Sequence, residues 1–319
     1  MLSLVSQLQF RVNRQRRLLW TVSALALLLS VIGIAASCLS PGIRAPLRPG
    51  LDFTGGTQIE LSRRCTAGCP PLSTGQLEAA IRAAKLPAEP DASAPDLRGV
   101  SVQLLEEGSQ VVMRLPTLSP AQGQTLVEQL QPVLGDTEPG GLSIETIGPT
   151  LGSQLLRSSL ISLLVSFAGI ALYISFRYDR IYAALALLCL AHDVLITCGV
   201  FAWLGLLAGV EVNSLFAVAL LTIAGYSVND TVVIFDRIRE KRVELQGQPL
   251  ADQADAAVQA TLTRSLYTSL TTLLPLLALI LFGGSTLFWF AVALSIGILV
   301  GAWSSISVAP TLLPLFSRR

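Results

Sequence analysis

Long apolar runs separated by short charged clusters dominate the chain. Residues 18–39 are almost wholly apolar, and no charged residue falls between Arg17 and Arg44. Residues 158–176 and 212–229 are equally free of charge, and 181–208 is apolar except for His192-Asp193. The longest run, Ser265 to Ser317, holds no charged residue at all. About 20 helical residues cross a bilayer at about 1.5 Å each, so that last run is too long for one crossing. Gly283-Gly284-Ser285 is its natural break. The pattern predicts six transmembrane helices, near 18–39, 155–176, 181–207, 212–235, 265–283 and 286–315.

Between the first and second helices the period changes. Residues 57–62 alternate as a strand, and Ser73 offers an N-cap for a helix over 75–85. Residues 99–106 and 110–115 read as strands joined at Glu107-Gly108-Ser109. Ser119-Pro120 opens a helix to about Leu134, with proline at its first position, and 142–147 is a last short strand. The order βαββαβ is that of a ferredoxin-like sandwich, and an unspecified α+β domain fits the pattern as well. The expected fold class is therefore a polytopic α-helical membrane protein with one external α+β domain between helices one and two.

Composition agrees with the hydrophobic pattern. Of 319 residues 52% are hydrophobic and 13% charged, whereas a soluble domain carries about 25% charge. A net charge of +1 supplies no footprint for nucleic acid. One histidine excludes His-rich metal centres, and no nucleophile–base set, P-loop or metal cluster is visible. Neither an enzyme nor a bound cofactor or metal is expected. Five cysteines are too few for a disulfide scaffold; Cys65 and Cys69 allow either a local disulfide or free thiols.

Basic residues set the orientation. Arg11, Arg14, Arg16 and Arg17 precede helix one, Arg177 and Arg180 join helices two and three, Arg237 to Arg242 follow helix four, and Arg318-Arg319 follow helix six. All lie on one side, so both termini are expected in the cytoplasm. The map reads 1–17 cytoplasmic, 18–39 an uncleaved first anchor, 40–154 external, 155–315 a five-helix membrane domain with a cytoplasmic loop at about 236–264, and 316–319 cytoplasmic.

Charge inside the membrane is costly and therefore informative. Asp193 falls past the bilayer centre of helix three with His192 beside it. Asn229-Asp230 lies in the cytoplasmic third of helix four. Arg264 opens helix five, with Thr268, Thr271 and Thr272 on its face. A buried carboxylate favours its neutral form until water or a cation reaches it, so Asp230 with Arg264 forms a candidate proton carrier and switch. The same groups can instead hold helices together as fixed polar contacts. Ala293, Gly297, Gly301 and Ser305, at every fourth position of helix six, read as a close-packing stripe. Asp52-Phe53-Thr54-Gly55-Gly56, where the chain leaves helix one, reads either as a hinge or as a plain turn into the first strand.

These motifs resemble a known family. Gly50-Leu51-Asp52-Phe53-Thr54-Gly55-Gly56-Thr57, the 14 residues from Ser227 to Glu240 around Asn229-Asp230, Ile147-Gly148-Pro149, Ala191-His192-Asp193 and Arg264-Ser265 with Thr268 to Thr272 are together similar to the SecD/SecF family of protein-export membrane subunits, on its SecF side, within the RND superfamily. The resemblance implies a bacterial inner-membrane partner of SecD that works with the SecYEG channel on a translocating preprotein, with YajC-like and YidC-like proteins as further candidate partners. It implies that proton flow drives the work, with Asp230 and Arg264 on the proton pathway; Asn229, Asp193 and His192 are read as companions from their own place inside the membrane. The competing transport reading is half of an RND-type small-molecule exporter, and the non-transport reading is a scaffold.

Overall fold

A computed structural model describes residues 11–64, 72–87, 95, 97, 100–105 and 108–316. Cys65 and Cys69 lie outside the described residues. The chain divides into two compact units, one of residues Gly50–Ser158, the other holding the segments up to Pro49 and from Ser159.

Helix α1 (Arg16–Leu39) is the first apolar run. The smaller unit then begins with a single turn, α2 (Leu51–Thr54), and continues as β1 (Gly56–Arg63), α3 (Thr74–Ala83), β2 (Ser101–Leu105), β3 (Gln110–Leu115), α4 (Pro120–Leu134) and β4 (Thr137–Ile147). Its strands run in the order β2-β3-β1-β4, with every neighbouring pair antiparallel. That order is the one a βαββαβ chain adopts in a ferredoxin-like sandwich. Ile59 and Leu61 of β1, Val111 and Met113 of β3, and Leu77, Ile81, Leu126 and Leu130 of the two helices bury together as its core. The alternation of β1 puts Ile59 and Leu61 on one face, which is why a two-residue period in sequence becomes a one-sided core. Helix α4 starts with a capping box: Gln122 N donates to Ser119 Oγ at 3.3 Å, and Ser119 N donates to Gln122 Oε1 at 3.0 Å. It stops at Gly135, whose φ is +78°, a left-handed conformation that ends helices.

The membrane unit is helical throughout. Helices α5 (Pro149–Arg177), α6 (Arg180–Leu207), α7 (Ser214–Glu244) and α8 (Leu250–Phe282) follow in turn. The last crossing comprises α9 (Gly284–Trp303), a π-helical turn at Ser304–Val308 and α10 (Ala309–Phe316). Among the described residues six helical segments are thus long and apolar enough to cross a membrane. Pro310 has no N–H to give the carbonyl of Ile306, so a regular α-helix cannot run through this point, and the wider π turn sits directly before it.

Two boundaries differ from the sequence expectation. The segment 236–264, expected as a loop, is mostly helix: α7 runs on to Glu244 and α8 begins at Leu250. Paired charges one turn apart, Arg237 with Glu240 and Lys241 with Glu244, support the extension of α7. Gln253 closes the joint by donating from Nε2 to the carbonyls of Leu245 at 3.0 Å and Gln248 at 2.9 Å. Arg264 consequently lies inside α8 and does not open it. Strand β4 also begins at Thr137, five residues earlier than 142.

Glycine sets how closely the membrane helices approach. A Cβ at Gly199 of α6 would lie 2.4 Å from the Cα of Ser30 on α1. Beside it, Trp203 donates from Nε1 to the Leu29 carbonyl at 3.0 Å. A Cβ at Gly297 of α9 would lie 2.4 Å from Ile223 of α7.

Candidate functional site

Two carboxylates are buried between helices of the membrane unit. Asp230 of α7 is 6% exposed and Asp193 of α6 is 0% exposed. The partners they find are hydroxyls. Ser265 of α8 donates from Oγ to both carboxylate oxygens of Asp230, at 3.0 and 2.9 Å. Ser305 donates to Asp230 Oδ2 in a short contact. Asp193 Oδ2 accepts from Ser227 of α7 at 2.6 Å and from Ser304 at 2.8 Å. His192 Nδ1 lies 2.8 Å from Asp193 Oδ1.

The local reason for this arrangement is the π turn. Ser304 and Ser305 are consecutive, so their side chains leave the helix about 100° apart and reach two different neighbours. One addresses α6 and the other α7. On α7 itself, Ser227 and Asp230 are three residues apart and share a face. A serine of that face thus serves the carboxylate of α6, while its aspartate receives serines from α8 and the last crossing. All four serines are buried.

A carboxylate in an apolar interior must be neutralised or well hydrogen-bonded, because isolated charge there is strongly unfavourable. Among the described residues neither aspartate has a Lys or Arg partner; the one basic group in contact is His192. At Asp230 there is therefore no ion pair to break, and at Asp193 the one ionisable neighbour in contact is the His192 imidazole. The buried His192 Nε2 has no hydrogen-bond partner among the described residues. Two acids with mobile hydroxyl donors and a neighbouring imidazole make up a chemistry of proton binding and release.

The Gly-Gly segment forms a second feature. Gly55 and Gly56 have φ of +70° and +124°. A Cβ at Gly55 would lie 2.9 Å from the Cα of Pro149, and one at Gly56 would lie 2.7 Å from the Leu115 carbonyl oxygen. From the other side, a Cβ at Gly152 of α5 would lie 2.9 Å from the Gly55 nitrogen. Both the backbone conformation and the space admit only glycine. The turn containing Asp52, Phe53 and Thr54 is thereby seated on the first turn of α5.

Comparison with known proteins follows the same residues. The profile described as protein export membrane protein SecD/SecF, C-terminal, matches residues 129–319, and the SecD/SecF GG motif matches residues 44–67. The chain belongs to the SecD/SecF family. The protein translocase subunit SecF of Prochlorococcus marinus is 52% identical over 96% of this chain and 95% of its own length. SecF of Synechocystis is 43% identical over 92% of this chain and 90% of its own. The crystal structure of SecDF from Thermus thermophilus, a translocon-associated membrane protein, superposes with a TM-score of 0.79 at 31% identity. It covers 98% of this chain, which spans only 39% of that SecDF chain.

Within this SecD/SecF chain the sequence-derived residues separate into groups. Asp230, Asp193 and His192 are buried and bonded as above. Asn229 is exposed on α7, turned away from its neighbour's site. Arg264 is exposed on α8 and makes no ion pair among the described residues, so the expected Asp230–Arg264 contact is replaced by Ser265, the next residue on the helix. Thr268 and Thr271 are likewise exposed and Thr272 is half-buried, with all three hydroxyls bonded to carbonyls of their own helix. The sequence reading missed Ser227, Ser304 and Ser265 as carboxylate partners and treated Ser305 as packing. Ser227 alone carried a local signal, three residues before Asp230, and it bonds the acid of α6; Ser265, Ser304 and Ser305 carried none.

Proposed function

We propose that this chain is a proton-driven accessory subunit of a Sec protein translocase, pairing with a SecD-type chain and promoting polypeptide export through a SecYEG channel. It resides in the bacterial inner membrane with both termini in the cytoplasm and the α+β domain outside. The observation that carries the reading is the pair of buried membrane carboxylates, Asp230 and Asp193, held by hydroxyls and one imidazole. Protonation of such a site alternates between two states of similar hydrogen bonding, as a proton carrier requires. One proton crossing 100 mV releases about 2.3 kcal/mol, comparable with a hydrogen bond to a charged group at about 1.5–3 kcal/mol. About one such bond can therefore be remade for each proton.

The outward Arg264 and the threonines of α8 supply the reason for a partner. An arginine on the lipid-facing surface of a spanning helix is unfavourable, and a second multi-span chain lying there covers it. The relative from Thermus, in which SecD and SecF are named as one subunit, supports the same pairing. The glycine seat holds the turn before β1 against the first turn of α5 within the unit Gly50–Ser158, and it serves as a hinge.

Reconstituted vesicles test the reading. Asp230→Asn keeps the shape and the hydrogen-bonding capacity but cannot ionise. It is expected to assemble with its partner and to lose the gradient-dependent part of export. Full gradient-dependent export by this variant would remove Asp230 from the proton path.

A further inference from the structure

The two serines of the π turn have a second acceptor each. Besides donating to Asp193, Ser304 Oγ lies 3.1 Å from the Gly301 carbonyl oxygen. Ser305 Oγ, besides donating to Asp230, lies 3.1 Å from the Ala302 carbonyl oxygen. A hydroxyl has one hydrogen and cannot donate to both acceptors fully. Ser227 and Ser265, the other donor on each acid, have no such backbone alternative among the described residues. Each aspartate is therefore served by one fixed hydroxyl and one that can turn.

We propose that Ser304 and Ser305 are positioning residues that let Asp193 and Asp230 change protonation state by rotation of a hydroxyl, with no rearrangement of the helices at that step. The inference rests on the proton-carrying role argued above. When Asp230 is ionised, Ser305 donates to Oδ2. When hydronium delivers a proton, its O–H bond breaks to leave water, a new O–H bond forms on Oδ2, and the Ser305 hydrogen bond to that oxygen breaks. The serine hydrogen turns to the Ala302 carbonyl, and the acid O–H donates to the freed lone pair of Ser305 Oγ. One hydrogen bond is lost and two are gained, and the positive charge of the proton cancels the carboxylate. Ser304 does the same for Asp193, with Gly301 as the second acceptor. The π turn matters because it presents two consecutive hydroxyls to acids on two different helices.

The titratable and charged groups facing these acids are few. Around Asp230 they are Tyr226 one turn earlier on α7, Arg264 and Tyr267 on the outer surface of α8, and none on the last crossing from Leu287 to Phe316. Around Asp193 they are His192 and Cys189 of α6. A pH response that follows Ser305 but not Ser304 therefore reports Asp230.

Infrared spectroscopy of the full chain in lipid tests this directly. The protonated-carboxyl C=O band of each aspartate is assigned by its loss in Asp230→Asn or Asp193→Asn. Ser305→Ala should shift the Asp230 band and leave the Asp193 band in place, and Ser304→Ala should do the reverse. Retention of the wild-type band positions in both serine variants overturns the inference, and so does an equal shift of both bands in either variant. These spectra do not use export, so they separate failure of the hydroxyl switch from failure of the proposed function, which Asp230→Asn reports.

Discussion

Ser265 holds Asp230 through both of its carboxylate oxygens, while Arg264, the residue before it, faces outward on the same helix. One residue along a helix is about 100° around it, so a motif that places both side by side in sequence sends them to opposite environments. The serine belongs to this chain's interior and the arginine to its outer surface.

Stability and assembly should therefore divide between the two. Arg264→Met is expected to leave the melting of the isolated chain in detergent within about 0.5 kcal/mol of wild type, as for other exposed positions. The same variant should lose copurification with the partner chain, or gradient-dependent export, or both. Ser265→Ala should lower gradient-dependent export about tenfold, the rate equivalent of one charge-assisted hydrogen bond of about 1.5 kcal/mol. Normal export by Arg264→Met would show that this surface is not used.

The α1–α6 contact should be sensitive to a single methyl group. With Ser30 Cα 2.4 Å from an added Cβ, Gly199→Ala forces two backbones apart and should destabilise the chain by about 1–3 kcal/mol. Gly225 on α7 has nothing within 4 Å of an added Cβ, so Gly225→Ala should be neutral or stabilise by about 0.5–1 kcal/mol. Thermal melting of both variants in one detergent checks the contrast.

In the α+β domain the Thr57 hydroxyl lies 3.0 Å from the Thr146 hydroxyl and accepts from the Leu118 N–H at 2.8 Å, wholly buried. Thr57→Val keeps the shape and leaves the Leu118 N–H without its acceptor. A cost of about 1–3 kcal/mol is expected, seen as faster limited proteolysis within residues 50–158. An unchanged cleavage rate would mean that the N–H finds another partner.

Tyr178, between α5 and α6, donates to Asp236 Oδ1 at 3.0 Å. Burial and the acceptor carboxylate push its phenol up to about 12 from an ordinary value of 10.0. A raised value means that the folded state holds the phenolic proton more tightly than the unfolded chain. Its stabilisation is thus complete below pH 10 and is lost as pH rises from about 10 through about 12. Wild type minus Tyr178→Phe should show a constant stability difference of about 1 kcal/mol from pH 7 to 9 and a shrinking one above pH 10. A difference that is flat through pH 11.5 would contradict the bond.

Much of the architecture was legible because it follows from local pattern. A charge-free run of about 20 residues has no stable place but the bilayer, so the six crossings and the break at Gly283 could be read directly. Alternation in β1, the Ser119-Pro120 cap and the turn at Gly108 implied the βαββαβ order. The helical reach of α7 and α8 was not legible: the charges of 236–264 resemble a cytoplasmic loop, and the i,i+3 pairs that keep Arg237 to Glu244 helical depend on a helix already being there.

What the sequence by itself determined was which groups are expensive to bury: Asp193 and Asp230 in apolar helices, and the strained Gly55-Gly56 pair. Only the tertiary structure decided which groups compensate them. Ser265 is 35 positions from Asp230, Ser305 is 75 away, and Ser304 is 111 from Asp193. No periodicity links such distances. A serine in a spanning helix satisfies itself on its own backbone unless helix packing brings an acid within reach, and that packing is set here by the π turn before Pro310 and by Gly297 admitting Ile223 of α7.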